Sequence, residues 1–267
     1  MQDEVLTDAL WARLEPLIPV RARRFRYPGR RRVGDRAVLE AILWVARTGV
    51  GWNRVPTHLF GASGATCWRR LAEWQQAGVW QRLHETLLGE LRAAGLLDLS
   101  AALVDSSHLR ALKKGDLTGP SPVDRRKAGS KHHVITDGTG IPLAVTLTGG
   151  HRNDVTQLIP LIEAIPPIRG VVGRPWRRPR HVFADRGYDH DKYRRMVRAR
   201  GITPVIARRG TGHGSGLGVV RWPVERTFAW LHAFKRLRIR YERRADIHQA
   251  FLSIACSIIC LRKLILN

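Results

Sequence analysis

The stretch Arg180-His-Val-Phe-Ala-Asp185-Arg-Gly-Tyr188 decides how this chain folds. Its middle, residues 182–184, is apolar and predicts a short buried strand that runs directly into Asp185. Gly187 ends the strand, and the pattern of residues 189–200 predicts a helix. The sequence therefore places Asp185 at the end of a buried strand, which is a rigid position for a side chain that binds a metal ion.

Two further acids stand in comparable settings. In Ala101-Ala-Leu-Val-Asp105-Ser-Ser-His108, an apolar run again ends at an aspartate. Glu225 lies in Arg221-Trp-Pro-Val-Glu225-Arg-Thr-Phe-Ala-Trp230, where Pro223 predicts a helix start. Two aspartates at strand ends and one glutamate on a helix are the ligands that a two-metal phosphodiester site needs.

The second part of the chain reads as strands followed by alternating helices and strands. We predict strands at residues 102–106, 131–136, 141–148, 182–185 and 203–207, and helices at 154–165, 188–200, 222–237 and 247–266. Three strands in a meander, followed by alternating elements, are typical of a ribonuclease-H-like fold. In that fold the first strand lies beside a later parallel strand, so Asp105 and Asp185 would face each other.

The first part of the chain reads as short helices separated by glycine and proline. We predict helices at residues 6–14, 35–46, 63–77 and 79–94, which resemble a helix-turn-helix module. A plain helical bundle explains the same pattern equally well, because tryptophans at helical spacing usually lie in a core. The predicted class is mixed α/β (α+β), with a helical DNA-binding domain at residues 1–95 and a ribonuclease-H-like catalytic domain at residues 99–267.

The charge of the chain indicates a polyanionic partner. Lys and Arg total 46 against 22 Asp and Glu, for a net charge of +24. Most of this excess lies after residue 99, where the net charge is +19, against +5 before it. Nucleic acid is the leading candidate partner. The arginine-rich loop at residues 21–32 is either a flexible arm on DNA phosphates or a disordered linker.

Three cysteines and an acidic N-terminus predict a cytoplasmic protein. Cys67, Cys256 and Cys260 show no pairing pattern, which fits buried thiols in a reducing compartment. Met-Gln-Asp-Glu carries acid where a signal peptide carries base. The longest apolar run, residues 245–261, is too short and too polar to span a bilayer.

The three selected acids differ from the other acids after residue 99. Asp137 is explained as a hairpin-turn residue, and either Asn153 or Asp154 as a helix cap. Asp105 and Asp185 end apolar strands, where an unpaired charge is costly. A salt bridge to Arg186 or Arg221 would explain one of them. Carboxylates this close repel each other unless cations lie between them, so the arrangement predicts a divalent metal.

Blocks of sequence along nearly the whole chain resemble one known family. The blocks are Leu6-Thr-Asp with Trp11, Arg47-Thr-Gly49 with Trp52 and Val55-Pro56, Arg69 with Trp74 and Gly78-Val-Trp80, Val104-Asp105-Ser-Ser-His108, Gly129-Ser-Lys131-His-His133, Ala184-Asp185-Arg-Gly-Tyr188 and residues 221–230. In this order they resemble the DDE transposases of insertion-sequence family 5, within the larger family-4 group.

The resemblance implies an activity, a cofactor and roles for the three acids. It implies a ribonuclease-H-like core, two Mg²⁺ ions (with Mn²⁺ able to substitute) and cut-and-paste transposition at terminal inverted repeats. Asp105, Asp185 and Glu225 would then be the catalytic, metal-binding residues, with Glu225 also orienting water. We further expect a homodimer on double-stranded DNA, with no membrane and no small-molecule substrate.

The family's Tyr-Arg-Glu-Lys signature is matched only in part. Arg221 and Glu225 occupy its second and third positions, whereas Gly218 and His232 stand where the family has Tyr and Lys. One helical turn beyond His232, Lys235 or Arg236 would be the substitute cation.

Seven basic residues are predicted to contact DNA. Lys131, Arg221 and Arg226 are expected to clamp phosphates near the acids, and Arg23 and Arg24 to do so from the basic loop. Arg69 and Arg70 lie on the predicted helix at residues 63–77, which either enters the major groove or packs in the core. A stand-alone nuclease and a catalytically silent DNA-binding regulator are the alternative functions. The nuclease would share the site without joining strands, and the presence of all three acids disfavours the regulator.

Overall fold

A mixed sheet built around one long strand forms the centre of the computed structural model, which describes residues 6–22, 25–210 and 217–266. The strands are β1 (Ala101–Ala111), β2 (Gly119–Pro120), β3 (Ala128–Asp137), β4 (Pro142–Gly149), β5 (His181–Ala184), β6 (Thr203–Ile206) and β7 (Ile239–Arg240). β1 pairs antiparallel with β3, and β3 pairs antiparallel with β4. On its other side β1 pairs parallel with β5, which pairs parallel with β6. This is the strand order of a ribonuclease-H-like fold, and the predicted fold is confirmed.

In the part of the chain that the structure describes, five α-helices precede the sheet and five follow its third long strand. The first group is α1 (Asp8–Leu14), α2 (Asp35–Thr48), α3 (Thr57–Phe60), α4 (Gly64–Gln76) and α5 (Val79–Ala93). The second group is α6 (Leu158–Glu163), α7 (Asp191–Arg198), α8 (Leu217–Ala233), α9 (Lys235–Arg238) and α10 (Ala245–Ile265). Thr7 and Ser63 cap α1 and α4 by accepting backbone N–H groups, as their positions predict.

Alternating residues of β3 show which segments cover each face of the sheet. His132 faces His248 of α10, whereas its neighbours Lys131 and His133 face Asp154. Side chains alternate between the faces of a strand. Helix α10 therefore covers one face, together with α8, whose His232 also lies beside the His132 ring. The turn that contains Asp154 covers the other face.

The helical N-terminal segment packs on α10 through an apolar core that continues into the sheet. Helix α10 lies against both α4 and α5, and the Trp52 ring stacks on Phe251 at 5.8 Å. Buried Leu and Ile residues join the two segments in one cluster. The predicted division into domains at residues 1–95 and 99–267 stays a prediction, since a shared core does not show whether either part folds alone.

Helix α10 is the one described helix long and apolar enough to cross a membrane. In this structure 72% of its apolar window is buried inside the protein. Cys256 and Cys260 lie within it, and these two thiols and that of Cys67 are free and buried, as predicted. The helix is thus accounted for as the central packing element of the fold.

Two sequence predictions for the region of Glu225 are wrong in detail. Pro223 does not start a helix, because α8 begins at Leu217 and continues through the proline. The helix predicted at residues 222–237 is two helices, since Phe234 is extended and separates α8 from α9. The break lets Arg236 turn into the core, where it bonds to Glu242 and to the carbonyl groups of residues 49 and 50.

Candidate active site

The register of two parallel strands brings Asp105 and Asp185 level with each other. Ala101 of β1 lies opposite His181 of β5, and Leu103 lies opposite Phe183. Continuing this register by two residues on each strand places Asp105 beside Asp185. Asp185 directly follows β5, as predicted. Asp105 is not at a strand end, because β1 continues to Ala111, paired with β3 as far as Arg110 and with β7 at Arg110 and Ala111.

Each aspartate uses one oxygen to accept a backbone N–H. Asp185 Oδ1 accepts from the Gly187 nitrogen at 2.8 Å, and Asp105 Oδ1 accepts from the Ser106 nitrogen at 2.8 Å. A Cβ at position 187 would lie 2.9 Å from Asp185 Oδ1, so a side chain there would displace this carboxylate oxygen. Both carboxylates are therefore held by backbone contacts before any ligand arrives.

The site raises the pKa of Asp105. Burial is the main cause and raises the pKa of this carboxyl to about 6, while Asp185 and Glu225 add smaller contributions in the same direction. The Ser106 N–H and the Arg221 guanidinium oppose the shift, with Arg221 Nη2 lying 3.3 Å from Asp105 Oδ2. A cation bound close to Asp105 would offset both the cost of burying its negative charge and its repulsion by Asp185 and Glu225.

Glu225 lies on the same helix as Arg221, whose guanidinium pairs with Asp105. Its side chain is exposed, and it acts on Asp105 through its charge. Within residues 6–22, 25–210 and 217–266, no three His, Cys, Asp or Glu side chains are grouped closely enough to hold a metal ion. The structure thus brings Asp105 and Asp185 together, and the catalytic and metal-binding roles of all three acids stay predictions.

Helix α8 is attached to the turn between β3 and β4. Thr227, which is fully buried, donates its hydroxyl hydrogen to the Gly140 carbonyl. Arg226 donates to the Thr139 carbonyl, and its guanidinium lies between the rings of Trp222 and Trp230, at 4.4 and 4.6 Å. These contacts fix the part of α8 that carries Glu225, and they occupy most of the Arg226 side chain.

Tyr188 is a site residue that the sequence interpretation missed. Its side chain is 1% exposed, and its hydroxyl has no well-formed hydrogen bond among the described residues. Burial raises its pKa well above the ordinary value, and the charges of Asp154, Asp105 and Asp185 raise it further, so the hydroxyl lies near all three carboxylates. An apolar strand followed by Asp-Arg-Gly-Tyr could have indicated it, since the 3₁₀ turn at Arg186–Tyr188 folds the tyrosine back under the strand end.

Asp154 is not the helix cap. Of the two residues that the sequence allows, Asn153 is the cap, accepting from the Val155 nitrogen. Asp154 instead pairs with Lys131, whose Nζ lies 2.9 Å from its Oδ1 and 2.7 Å from the Arg152 carbonyl oxygen. Lys131 is 5% exposed, so the prediction that it clamps a DNA phosphate does not agree with its position.

Arg70 is also turned inward. Its side chain is 5% exposed, it forms an ion pair with Asp35, and its guanidinium lies 5.6 Å from the centre of the Trp74 ring. The burial of Arg70 is explained by its ion pair with Asp35, which lies 35 residues earlier in the chain. The prediction that Arg70 reads DNA is therefore not supported. Arg69 is exposed and lines a cleft of about 670 Å³ with Arg30 and Arg31. Arg23 and Arg24 lie outside the described residues.

The positions that depart from the family's signature are filled differently from the prediction. Gly218 lies in the first turn of α8. His232 packs beside Phe228 and His132, and burial lowers its pKa, so it does not supply a cation. Of the two suggested substitutes, Lys235 is exposed, whereas Arg236 is 3% exposed and is paired with Glu242.

The donor atoms at the candidate site suit a hard divalent cation. Asp105 and Asp185 present carboxylate oxygens only, and Mg²⁺ in proteins is commonly held by one or two carboxylates with water and substrate phosphate. Burial, the main cause of the raised pKa of Asp105, makes its ionised form costly, and a bound cation would offset that cost. The residues present therefore fit a divalent metal ion.

Comparison with known proteins identifies the chain. Residues 97–260 match the family model described as "Transposase DDE domain", and residues 6–84 match "Putative transposase of IS4/5 family". The "Putative transposase for insertion sequence element IS402" of Burkholderia cepacia is 66% identical over 143 residues, which are 54% of this chain and 68% of that protein. A second protein of that organism, "Insertion element IS402 uncharacterized 16.2 kDa protein", is 49% identical over 123 residues, covering 46% of this chain and 84% of its own length.

Among solved structures, the Mos1 strand transfer complex matches with a TM-score of 0.35 and 10% identity over 88% of this chain and 77% of that chain. The sequence match to the DDE domain covers more than half of the chain and includes Asp105, Asp185 and Glu225. The chain belongs to the family of DDE transposases, enzymes that cut DNA and transfer its strands.

Proposed function

We propose that this transposase moves its own insertion sequence by cut-and-paste at terminal inverted repeats. The observation that supports the proposal most directly is the level placement of Asp105 and Asp185 on parallel strands. Hydrolysis of a phosphodiester at the element's end would free a 3′-hydroxyl, and this hydroxyl would then attack a phosphodiester of the target DNA.

Three acids divide the work at the reacting phosphate. Asp105 and Asp185 would hold two Mg²⁺ ions, which Mn²⁺ can replace, and Glu225 would join them and orient the attacking water. When bound, the ions lower the pKa of that water and stabilise the leaving oxygen. Asp105 must be ionised to act, and the cation that it binds lowers its raised pKa.

Arg221 has two alternative partners in this proposal. Without a metal it pairs with Asp105, and its Nε is buried without a hydrogen-bond partner among the described residues. A divalent cation would replace it beside Asp105. The guanidinium is then available for a DNA phosphate, as Arg is suited to a two-pronged contact of that kind.

Tyr188 is a positioning residue for the aspartate pair. Its buried hydroxyl interacts with the Ser106 side chain, and the charges of Asp105 and Asp185 act on it. Donation to either carboxylate would fix that group while its other oxygen binds metal, as outer hydrogen bonds do at metal sites. Lys131 contributes indirectly, because its ammonium group neutralises Asp154, whose charge also acts on Tyr188.

Binding to DNA would rest on exposed basic side chains. Arg69 of α4 is exposed and lines a cleft with Arg30 and Arg31, whereas Arg226 is half-buried and would reach a phosphate only by giving up some of its contacts. We propose that residues 1–95 recognise the terminal repeats, that residues 99–267 carry the chemistry, and that the protein acts as a homodimer on nucleoid DNA. The basic loop with Arg23 and Arg24 would track the phosphate backbone.

A test compares cutting with joining. The purified chain is mixed with Mg²⁺ and a labelled fragment that carries the element's end, together with a circular plasmid. A transposase gives cut ends and also labelled plasmid, whereas a stand-alone nuclease gives cut ends only. Asp105→Asn provides the control that binds DNA without cutting it. Failure to join a pre-cut end under conditions where the uncut end is cleaved would contradict the proposal.

A further inference from the structure

A cleft of about 600 Å³ lies where the helical segment meets the end of the catalytic strand β1. Five cationic side chains and one carboxylate line it: Arg54, Lys113, Arg236, Arg243, Arg244 and Glu242. Glu242 is paired with Arg236. Among the described residues, Arg54, Lys113 and Arg243 have no ion-pair partner, and all three are exposed. The lining is therefore suited to a polyanion.

Aromatic side chains form part of the same lining. Trp52, Trp68 and Tyr241 are each partly exposed and lie in the cleft wall. The Arg244 guanidinium is 5.4 Å from the centre of the Trp68 ring, and that of Arg236 is 4.8 Å from the Tyr241 ring. Proteins that bind unpaired nucleic acid combine a positive groove with aromatic rings on which bases stack.

The cleft is held in shape by contacts between distant parts of the chain. The Asp116 nitrogen donates to the Arg243 carbonyl at 2.9 Å, and a Cβ at position 115 would lie 2.2 Å from that oxygen. Gly115 thus permits the close approach that places Lys113 and Arg243 at one opening. On the other wall, Arg236 donates to the carbonyls of Gly49 and Val50, at 3.1 and 2.8 Å.

The position of the cleft relates it to the candidate active site. Strand β1 carries Asp105 and continues to Ala111, beside β7. At about 3.3 Å per residue, the six steps between these residues span about 20 Å. A DNA strand held in the cleft would therefore lie about 20 Å from the phosphate that reacts, well within the length of one bound DNA end.

From the charge, the aromatic lining and this position, we propose that the cleft binds an unpaired strand of DNA during transposition. Arg54, Lys113 and Arg243 contact its phosphates, and a base lies against Trp68 or Tyr241. The inference rests on the proposed function, because DNA ends cut by this enzyme are the source of such a strand.

The test measures binding and not cleavage, so it is separate from the test of the proposed function. Affinity is measured for a blunt duplex and for the same duplex with a single-stranded tail, in a chain that carries Asp105→Asn. We expect the tail to tighten binding roughly tenfold, the effect of stacking one or two bases. Lys113→Glu with Arg243→Glu should remove this preference and leave affinity for the blunt duplex within about threefold.

Two further variants serve as controls. Lys113→Gln with Arg243→Gln removes the charges without reversing them, and both sites are exposed, so folding should be retained. Arg174→Glu with Arg177→Glu makes the same change in charge at two exposed arginines in the loop between α6 and β5, outside the cleft, and should keep the tail preference. Equal binding of both DNAs by the Asp105→Asn chain, or an unchanged preference in the Lys113 and Arg243 variants, would overturn the proposal. If the tail preference is found but no strand is joined, the cleft stands and the proposed function fails.

Discussion

The two aspartates and the glutamate of the candidate site are positioned by different kinds of structure. Asp105 and Asp185 are set by the backbone register of β1 and β5, which continues from three observed residue pairs. Glu225 is set by α8, whose attachment to the sheet includes side-chain contacts from Thr227 and Arg226. A strand register cannot shift by a fraction of a residue, whereas a helix can slide on side chains. We therefore expect the aspartate pair to be built in advance and the position of the glutamate to be more adjustable.

The largest expected effect is the loss of cleavage on neutralising either class of acid. Asp105→Asn, Asp185→Asn and Glu225→Gln should each lower the cleavage rate by at least about 1,000-fold, because a metal-bound site contributes several kcal/mol to the chemical step. DNA affinity in a mobility-shift assay should stay close to that of the wild type, since binding depends on the basic surface. A variant that cuts at near-normal rates would remove its residue from the site.

Metal binding without DNA should separate the two classes. Asp105→Asn and Asp185→Asn should weaken Mn²⁺ binding about 100-fold, whereas Glu225→Gln should change it by less than about threefold. The reason is that the aspartates lie level on two paired strands, whereas Glu225 is exposed on a helix. Calorimetric titration of each variant with Mn²⁺ measures the difference. Equal losses in all three variants would show that Glu225 already belongs to the metal site before DNA binds.

The strands were easier to predict from sequence than the partners of the charged side chains. Apolar runs that end in Asp105 and Asp185 show the strands directly, and the meander order indicates which strand lies beside which. Lys131 and Arg70 were expected on the surface, because nothing near them in sequence indicates burial. Their partners, Asp154 and Asp35, are 23 and 35 residues away, so their burial depends on the tertiary fold.

Tyr188 and Glu242 also show that the sequence does not predict which polar groups a side chain will meet. From the sequence alone, a tyrosine just after a strand is interpreted as an ordinary turn residue. In the structure the 3₁₀ turn buries Tyr188, and the charges of the two aspartates act on its hydroxyl. Glu242 reads as a surface acid, yet it is 6% exposed and binds Arg236. Local pattern predicts an element and its apolar face, but it does not predict which polar group another segment will meet.

Removing the Tyr188 hydroxyl should affect the aspartate pair alone. Tyr188→Phe keeps the buried ring and should lower cleavage and Mn²⁺ affinity between about 10-fold and 100-fold, as loss of an outer hydrogen bond does at metal sites. Excess Mn²⁺ should restore part of the cleavage rate. A structural defect would behave differently, because it would lower the melting temperature without any rescue by metal. Unchanged metal affinity would show that the hydroxyl does not position the pair.

Without a bound metal ion, the ionised carboxylate of Asp105 should lower the free energy of unfolding. The pKa of Asp105 is raised from 3.8 to about 6, so the folded state takes up a proton between these values and stability falls as pH rises through them. Asp105→Asn should therefore raise the free energy of unfolding at pH 7.5, without divalent metal, by about 1–2 kcal/mol, after allowing for the lost pairing with Arg221. At pH 3.8 and below the difference should vanish. Denaturant unfolding at both pH values measures it, and a variant less stable than the wild type at pH 7.5 would contradict the assignment.

The smallest effect tests the attachment of the glutamate. Thr227→Val has nearly the same shape as threonine but cannot donate to the Gly140 carbonyl, so α8 loses one of its contacts with the β3–β4 turn. An unsatisfied buried carbonyl should lower the free energy of unfolding by about 1–2 kcal/mol. Cleavage should fall only about threefold to fivefold, because Arg226 still holds the helix to Thr139. Mn²⁺ affinity without DNA should not change, since the aspartates are fixed by the register of β1 and β5 and not by the Thr227 hydroxyl.

Thr146→Val, at a partly exposed hydroxyl on β4 that donates to Gln157, is a control of the same chemistry that should leave the cleavage rate unaltered. If Thr227→Val weakened metal binding as much as it slowed cleavage, the helix and the strands would be positioning one site together, and the distinction between them would not hold.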